Sequence, residues 1–495
     1  MISKLKKNIC SIIAFALIVL LLAVIAFIGL DSEAFGLFFK QTCLAVRGYV
    51  GSLCCLFLLI LVILAVSKYG KIKLGGKDAK PEYSNFSWFS CLFMAGMGIG
   101  IMFYCQESLF HLHSNPYVGW VSGSPESIAY SLTLYDWTFN AWGLYAMLGL
   151  IIAYFHFNKG RELKISSIFP MRFSYVLRRA IDIVMALGIV AGLCTSLGLG
   201  VAQLCGGFKY VFHVNANPYI LMMGICLIAT WSVNSGLKRG VKWLSNSSTI
   251  LVGILVLLVI LFAYLTHSVI NYGSYIGKGL VTFFGNYIFY NDYFNPKSDD
   301  WASSWAVFYQ MWYAAWAAFV SVFVAKISKG RSIREFILGV LILPSLVTML
   351  WFGVYGTIGT EIKDLIFPVM QNDITTSLFI FIENITTSHV AYLFMSAVVL
   401  ITICLFFITS SDSSSFVVAT LLTPDEEAWT IGKVSWSMTQ CFCAMVLFAC
   451  GGLALVQMAS VILGVIVITI IFAGMCYFLY TLKKSNSYKY DKQKS

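Results

Sequence analysis

The feature that most constrains this chain is a series of long apolar runs separated by short polar connections. Of its 495 residues, 59% are hydrophobic and 11% are charged. An apolar run of about 20 residues is long enough to cross a lipid bilayer as a helix. Twelve such runs predict an all-α integral membrane protein. The predicted spans are approximately 8–30, 46–67, 85–110, 128–156, 181–208, 217–235, 243–267, 301–327, 336–358, 387–416, 430–450 and 453–482.

The basic residues predict how these spans are oriented. If the N-terminus is inside and the spans alternate, 27 of the 33 Lys and Arg residues fall in inside segments and 6 fall outside. Cytoplasmic loops of membrane proteins carry such an excess. We therefore predict a multi-pass protein of the cell membrane, in contact with lipid, with both termini in the cytoplasm. The net charge of +11 then reflects topology, and we expect no nucleic-acid partner.

Two aromatic clusters lie inside predicted spans and need an explanation other than the membrane interface. Aromatic residues are usually enriched at the ends of membrane helices. Two such clusters facing each other would form a box of ring faces. A quaternary ammonium ion has no N–H to donate and is held mainly by ring faces, so it is the ligand that this box favours. The clusters consist of Trp137, Trp142 and Tyr145, and of Trp305, Tyr309, Trp312, Tyr313 and Trp316.

The glycines of the third span predict a break in its helix. Gly96, Gly98 and Gly100 alternate with Met97 and Ile99. Glycine weakens a helix, and backbone groups freed within a membrane are tolerated only where they line a cavity or meet a ligand. Gly96 and Gly100 also form a GxxxG pair suited to helix packing, but Gly98 falls off that face. We expect the ligand to contact Met97, Gly98 and Gly100.

The end of the tenth span is rich in hydroxyl groups. Residues 409–415 contain only Thr, Ser and the single carboxylate of Asp412. Hydroxyl and carbonyl oxygens suit a hard cation such as sodium. The alternative is that the hydroxyls bond to carbonyls of their own helix. In the fifth span, the hydroxyls of Thr195 and Ser196 precede small residues, a pattern equally suited to packing.

The sequence favours an ion gradient as the energy source. The candidate charged groups within the hydrocarbon are Asp136, Asp182 and Asp412, and no ladder of carboxylates indicates a proton relay. Neither a nucleotide-binding loop nor a Ser/His/Asp arrangement nor a haem motif is present, so we predict that the protein is not an enzyme and needs no cofactor. The 14 cysteines show no metal-binding spacing and are interpreted as small hydrophobic residues.

Together these motifs resemble the betaine/choline/carnitine transporter family. The resemblance runs from about residue 80 to about residue 470, with the motifs in family order and at family spacing. It implies a LeuT-type fold of two inverted five-helix repeats, preceded by two extra helices, with the substrate near the membrane midplane at a broken helix. The motifs are Gly-Met-Gly-Ile-Gly at 96–100, Asp-Trp-Thr-x-x-x-Trp-x-x-Tyr at 136–145, Thr-Ser-Leu-Gly-Leu-Gly at 195–200, the stretch 305–336, and Phe-Phe-Ile-Thr-Ser-x-Asp-Ser at 406–413.

The resemblance also implies a division of the chain into segments. Residues 1–80 would form the N-terminal tail and the two extra helices, and 81–267 the first repeat. Residues 268–300 would form a periplasmic or interfacial loop helix, 301–482 the second repeat, and 483–495 a short basic cytoplasmic tail.

Carried over residue by residue, the family's site falls on residues already singled out. Tyr313 stands where the family usually has Trp. The implied aromatic box consists of Trp137, Trp142, Tyr145 and Tyr313, with Trp312 and Trp316 as gate residues. The implied sodium site consists of the carbonyls of Met94, Met97 and Phe406 and the hydroxyls of Thr409 and Ser410.

The resemblance implies sodium symport of a quaternary-ammonium compound, an osmoprotective import across a bacterial inner membrane. Glycine betaine is favoured over choline, since proton-coupled choline members tend to place Asp where this chain has Gly100. Ile189 and Leu193 replace hydroxyl residues of sodium-coupled relatives, which argues against a second sodium site. The alternatives are a sodium-independent exchanger of the carnitine and betaine type, a choline transporter and, more distantly, a receptor that does not transport. Family members form trimers, so a homotrimer is expected.

Overall fold

The computed structural model describes residues 9–28, 32–235, 240–267, 270–290, 299–423 and 430–494. Regular structure within these ranges is helical, apart from two isolated bridges. Nine helices in the described part of the chain are long and apolar enough to cross a membrane. The predicted all-α fold class is confirmed. Parts of the predicted N-terminal tail, of the loop 268–300 and of the C-terminal tail lie outside the described ranges, namely 1–8, 29–31, 268–269, 291–298 and 495.

Two helices precede the repeats, as predicted. They are α1 (Ile9–Ile28) and α2 (Ser32–Val66). Helix α2 is longer than the predicted second span because its helical structure continues into the preceding polar segment. A short 3-10 turn at Lys68–Lys71 follows, and the Ser67 hydroxyl caps it by accepting from the Tyr69 N–H.

The first predicted repeat contains five spans, two of which are interrupted. The Ser84 hydroxyl accepts from the Ser87 N–H and begins the third span, and Ser124 with Pro125 at the first helical position begins the fourth. The third span is α3 (Asn85–Gly96), α4 (Ile99–Phe103) and α5 (Glu107–His113), the fourth is α6 (Pro125–Trp137) and α7 (Phe139–Ala153), and the rest are α8 (Tyr175–Phe212), α9 (Pro218–Ser235) and α10 (Gly240–His267).

The described part of the predicted loop 268–300 contains a helix with two faces. This helix is α11 (Tyr272–Asn286). Phe283 is fully buried, whereas Val281 and Phe284 are mostly exposed. Exposed apolar side chains beside a membrane-spanning bundle are typical of a helix that lies along the interface, so the interfacial position of this segment stays a prediction.

The second predicted repeat also contains helices that do not span. Helices α16 and α17 lie between the ninth and tenth predicted spans. The last two predicted spans are two helices that meet at a kink, where Gly451 and Gly452 have non-helical torsion angles, and the second of them continues into the predicted tail. The elements are α12 (Asp299–Ser304), α13 (Ala306–Ile327), α14 (Ile333–Ile337), α15 (Leu343–Glu361), α16 (Lys363–Asn372), α17 (Ser377–Ile385), α18 (His389–Leu422) and α19 (Thr430–Lys494).

Burial separates central helices from peripheral ones. The most apolar stretch of α13 is entirely buried inside the protein, whereas only 28% of the corresponding stretch of α10 is buried. Helix α13 packs against α7, α8 and α19, and α8 packs along α18 and α19. The aromatic and glycine motifs therefore lie in the protein interior, and the lipid-facing surface is formed by other helices.

Candidate functional site

The third span is broken at its glycines. Helix α3 ends at Gly96 and α4 begins at Ile99. Between them Met97 has φ −133° and ψ 42°, and Gly98 has φ −67° and ψ −113°, neither of which is helical. The break predicted at residues 96–100 is confirmed, and it leaves backbone groups of the span without partners in a regular helix.

The glycines beside the break make room for indole rings. A Cβ atom placed on Gly96 would lie 2.5 Å from Cη2 of Trp142. One placed on Gly100 would lie 2.5 Å from Cη2 of Trp137 and 3.2 Å from Cη2 of Trp312. The rings occupy the space that side chains would need, so these two positions accept only glycine without displacement of a tryptophan.

Aromatic residues from the two predicted clusters meet at the break. The ring centroids of Trp137 and Tyr313 are 6.1 Å apart, and those of Tyr145 and Tyr313 are 6.3 Å apart, both in edge-on arrangements. These rings and the break line a narrow internal cavity, which we call the aromatic pocket. It is lined by Gly96, Met97, Gly98, Ile99, Gly100, Trp137, Tyr145, Ser196, Trp312, Tyr313 and Trp316.

Trp142 lies behind the aromatic pocket and does not line it. Its ring stacks on Phe93 at 6.4 Å and meets the edge of Tyr145 at 5.5 Å. Direct contact of Trp142 with a ligand stays a prediction, while its packing gives it a position from which it supports Tyr145. Ser196 lines the pocket and was not among the predicted site residues, although its hydroxyl within a run of small residues marked it.

A second interruption sets the position of Trp137. Thr138, between α6 and α7, has φ −113° and ψ −108°. Trp137 is thus the last residue of one helix and Trp142 belongs to the next, so the two indoles approach different glycines of the third span. The Asp-Trp-Thr sequence contains neither Gly nor Pro, and sequence reasoning gave no sign of this interruption.

Helix α18 passes beside the break with its hydroxyl groups. A Cβ atom on Gly98 would lie 3.5 Å from Ser410 Oγ, 3.8 Å from Phe406 Cβ and 4.0 Å from the Met94 carbonyl oxygen. Two of the five predicted sodium ligand atoms, Ser410 Oγ and the Met94 carbonyl oxygen, therefore lie beside Gly98. The Thr409 hydroxyl donates to the Leu405 carbonyl at 2.7 Å, which is the alternative considered for this run.

The other polar residues singled out in the spans have partners elsewhere. The hydroxyls of Thr195 and Ser460 are 2.7 Å apart. Asp412 accepts from the Ser232 hydroxyl at 2.9 Å, and Asp182 accepts from the N–H and hydroxyl of Ser166. These contacts tie helices and loops together, so they are structural.

Glu107, whose carboxylate lies behind Trp137, was not among the predicted site residues. Glu107 accepts from Trp137 Nε1 at 2.8 Å and from the Tyr309 hydroxyl at 2.6 Å, and it is fully buried. The sequence places Glu107 near the outer end of the third span, but its partners are 30 and 202 residues away along the chain. No local pattern signals contacts at that separation.

The sequence is similar to known transporters over most of its length. Residues 9–487 match the family described as "BCCT, betaine/carnitine/choline family transporter". The glycine betaine transporter OpuD of Bacillus subtilis is 34% identical over 450 residues, which cover 87% of this chain and 83% of that protein. A glycine betaine transporter of Acinetobacter baylyi is 32% identical over 455 residues, covering 88% of this chain and 66% of that one. An ectoine/hydroxyectoine transporter of Virgibacillus pantothenticus is 33% identical over 445 residues, covering 86% and 87%.

A solved structure shares the fold. It is a substrate-bound, outward-open Na+-coupled sialic acid symporter, which superposes with a TM-score of 0.51 at 12% identity over 81% of this chain and 80% of that one. This likeness supports the LeuT-type architecture. With the family match over residues 9–487, it leads to one conclusion: the chain belongs to the betaine/carnitine/choline family of multi-pass membrane transporters, and it is not an enzyme.

Proposed function

We propose that this protein is a secondary active transporter that imports a quaternary-ammonium compound, glycine betaine in preference to others, by sodium symport. The observation that carries the proposal is the meeting of Trp137 and Tyr313, from the two predicted repeats, over the broken third span. A desolvated contact between a cation and a ring face contributes about 2 kcal/mol. Several such faces around one cavity select an ammonium ion that cannot donate hydrogen bonds.

The break supports a zwitterion as the substrate. Ring faces accommodate the trimethylammonium end, and backbone N–H groups freed around Gly98 are suited to the carboxylate end. Gly100 leaves no space for an acidic side chain, because even a Cβ atom would collide with Trp137. Glycine betaine carries both charges, and two of the similar proteins are named as its transporters.

Entry of the substrate requires the rings to separate. The aromatic pocket has room of about 20 Å³, enough for roughly one water molecule. A trimethylammonium group is several times larger. Trp312 and Trp316 line the pocket on one helix turn of α13, and we assign to them the role of gate residues that move when substrate enters.

The sodium site is the part of the proposal for which one observation favours an alternative function. The position of Ser410 Oγ, Phe406 and the Met94 carbonyl around Gly98 supports one bound sodium ion. The bond of Thr409 to its own helix favours the sodium-independent exchanger instead.

Uptake into proteoliposomes tests the proposed function. We expect radiolabelled glycine betaine to accumulate with an inward sodium gradient and not with potassium in its place. Exchange of internal for external betaine without sodium would identify the exchanger. Saturable binding with no uptake under either condition would identify a receptor.

A double variant tests the sodium site itself. Thr409→Ala with Ser410→Ala removes both side-chain oxygens of the proposed sodium site, so we expect half-maximal uptake to need at least tenfold more sodium, which corresponds to about 1.4 kcal/mol. Thr402→Ala is the matched control. Thr402 lies two turns before Thr409 in α18, and its hydroxyl likewise donates to a carbonyl of its own helix, that of Val398 at 2.7 Å. Unchanged sodium dependence in the double variant would place the ion elsewhere.

A further inference from the structure

A buried carboxylate lies directly behind the aromatic pocket. Glu107 begins α5, and one of its oxygens accepts both from Trp137 Nε1 and from the Tyr309 hydroxyl. Trp137 reaches the pocket with the opposite edge of its indole, the edge that approaches Gly100. Tyr309 is in turn 4.9 Å from Trp137 and 6.0 Å from Tyr313 between ring centroids. The carboxylate thus bonds to one pocket ring and to the neighbour of another.

The second oxygen of Glu107 faces a histidine that also lies close to Asp136. His111 Nε2 is 3.3 Å from Glu107 Oε1 and 3.7 Å from Asp136 Oδ2, and Trp301 Nε1 donates to His111 Nδ1 at 3.2 Å. An indole N–H can only donate, so Nδ1 is an acceptor and the imidazole proton is on Nε2. The imidazole therefore points the N–H of Nε2 at the two carboxylates.

The contacts of this cluster favour an anionic site. The ligand atoms of Glu107, His111 and Asp136 lie within 4.8 Å of one another, close enough to hold an ion. Two of the donors that converge on Glu107 are neutral, the indole N–H of Trp137 and the phenol O–H of Tyr309, and the third is an imidazole N–H of His111. Such donors accommodate a buried carboxylate without cancelling its charge.

The cluster also lies between the aromatic pocket and the exterior. A second cavity, of about 510 Å³, opens at the protein surface and is lined by Trp301 and Trp305, among others. Trp301 bonds to His111, and Trp305 stacks near Tyr309 at 6.2 Å. Side-chain contacts through His111 and Glu107 therefore connect the lining of this second cavity with Trp137 of the aromatic pocket.

We propose that Glu107, with Asp136 linked through His111, is a specificity-determining anionic group that draws the ammonium end of the substrate to the Trp137 side of the pocket. The inference rests on the proposed function. The charge of Glu107 acts across the indole of Trp137. A hydrogen bond from Nε1 to a carboxylate also polarises the indole and makes its face more attractive to a cation. The carboxylate end of a zwitterion is then directed away, towards the break at Gly98.

The proposal predicts different effects on a cation and on a zwitterion. Glu107 attracts choline without opposition, whereas it attracts one end of glycine betaine and repels the other. Glu107→Gln retains an oxygen that accepts from Trp137 and Tyr309 and removes the charge. We expect this change to weaken choline binding about tenfold and betaine binding about threefold or less, measured by competition on purified protein.

A role in packing alone gives a different result. If Glu107 only positions Trp137, both ligands lose affinity by the same factor, and that outcome would overturn the proposal, as would no change for either. Glu383→Gln is the matched control. Its carboxylate also accepts from a tyrosine hydroxyl, that of Tyr210, but it does not line the aromatic pocket. The choline-to-betaine affinity ratio of this control should equal that of wild type.

A second variant decides the question if Glu107→Gln does not fold. Asp136→Asn removes the other carboxylate without touching the bonds of Trp137 and Tyr309 to Glu107. We expect a smaller shift in the same ratio, about threefold, and an unchanged ratio would overturn the proposal. Wild-type protein that binds neither choline nor betaine would refute the proposed function itself, a result visible before any variant is made.

Discussion

The two ends of the broken third span are held by α13 and the loop that follows it. A cation makes the contacts at one end and an anion makes them at the other. At the end rich in basic residues, Arg331, in the loop between α13 and α14, donates to the Asn85 side chain at 2.9 Å and to the Tyr83 carbonyl at 3.2 Å. Its guanidinium also stacks on Trp88 at 3.9 Å. At the other end, Glu107 accepts from Tyr309 of α13. A buried cation with neutral acceptors serves one end, and a buried anion with neutral donors serves the other.

Because the two sets of contacts are separate, either end of the third span can be released while the other end stays in place. Neither Arg331 nor Glu107 is the partner of the other, so breaking one set of contacts leaves the second intact. Transport by alternating access needs this independence. Two buried cysteines of the span provide reporters, Cys91 in α3 for the basic end and Cys105 between α4 and α5 for the other. Alkylation rates located by mass spectrometry would measure how often each end opens.

The largest effect is expected from Gly330→Ala. Gly330 has φ +82°, and a Cβ atom there would lie 2.3 Å from the Lys80 carbonyl carbon. A residue other than glycine in this left-handed conformation costs about 1–2 kcal/mol, and the added Cβ would also collide with rigid backbone. We expect the free energy of opening the basic end to fall by about 4 kcal/mol. This change should appear as roughly thousandfold faster alkylation of Cys91 and as loss of uptake.

Gly76→Ala is the control that separates strain from collision. Gly76 has φ +94° but no atom within 4 Å of the added Cβ. It should show the conformational cost alone, with Cys91 alkylation rising far less than in Gly330→Ala. Equal effects of the two variants would mean that the packing of Gly330 on Lys80 does not hold this end closed.

Arg331→Ala should have the next largest effect. It removes two charge-assisted hydrogen bonds and the stacking on Trp88, and hydrogen bonds to charged groups contribute about 1.5–3 kcal/mol each. From the lower end of that range, about 3 kcal/mol in total, we expect Cys91 alkylation to accelerate about 150-fold while Cys105 alkylation is unchanged. Arg334→Ala is matched to it, since Arg334 lies at the same end but donates to the Ala65 carbonyl of α2. Faster labelling of Cys105 would contradict the independence of the two ends.

Tyr309→Phe examines the opposite end with a smaller change. It removes one hydroxyl that donates to Glu107 and retains the ring, a loss of about 1.5 kcal/mol. The expected result is about tenfold faster alkylation of Cys105 with Cys91 unaffected. If Cys91 responds instead, the anchor formed by Glu107 does not belong to the outer end.

Trp88→Phe should have the smallest effect of the series. The Trp88 indole donates to the Ser328 hydroxyl at 2.9 Å, a neutral bond worth about 1 kcal/mol. A phenyl ring retains a surface for Arg331, so Cys91 alkylation should rise about fivefold. A response as large as that of Arg331→Ala would show that stacking, and not the hydrogen bonds of Arg331, holds the basic end.

The sequence predicted the spans and the break because both depend on local composition. Long apolar runs identify membrane helices, and Gly96, Gly98 and Gly100 mark the unwound segment without reference to other helices. The interruption at Thr138 was not predictable, since its non-helical torsion angles come from packing and the surrounding residues carry no turn signal. The region after the ninth span was also missed, because α16 and α17 are short and amphipathic.

The site was predicted less completely than the fold. Trp137, Tyr145, Trp312, Tyr313 and Trp316 line the pocket together, as expected from aromatic residues at mid-span. Trp142 was expected beside them, but the direction of its indole depends on the space left by Gly96, which helix periodicity does not describe. The role of Glu107 follows from contacts between distant segments, and a single sequence contains no record of these.

The bond between Glu107 and Tyr309 has a consequence for how the protein is made. In the folded protein the third span consists of helices of 12, 5 and 7 residues, each too short to cross a bilayer. Tyr309 follows Glu107 by 202 residues, which take about 10–40 s to synthesise. During that interval the carboxylate lacks its phenol donor, and a polar group that lacks one of its partners is costly in lipid. We expect nascent chains that stop before α13 to leave the third span incompletely inserted, with full insertion only after the second repeat begins to be translated.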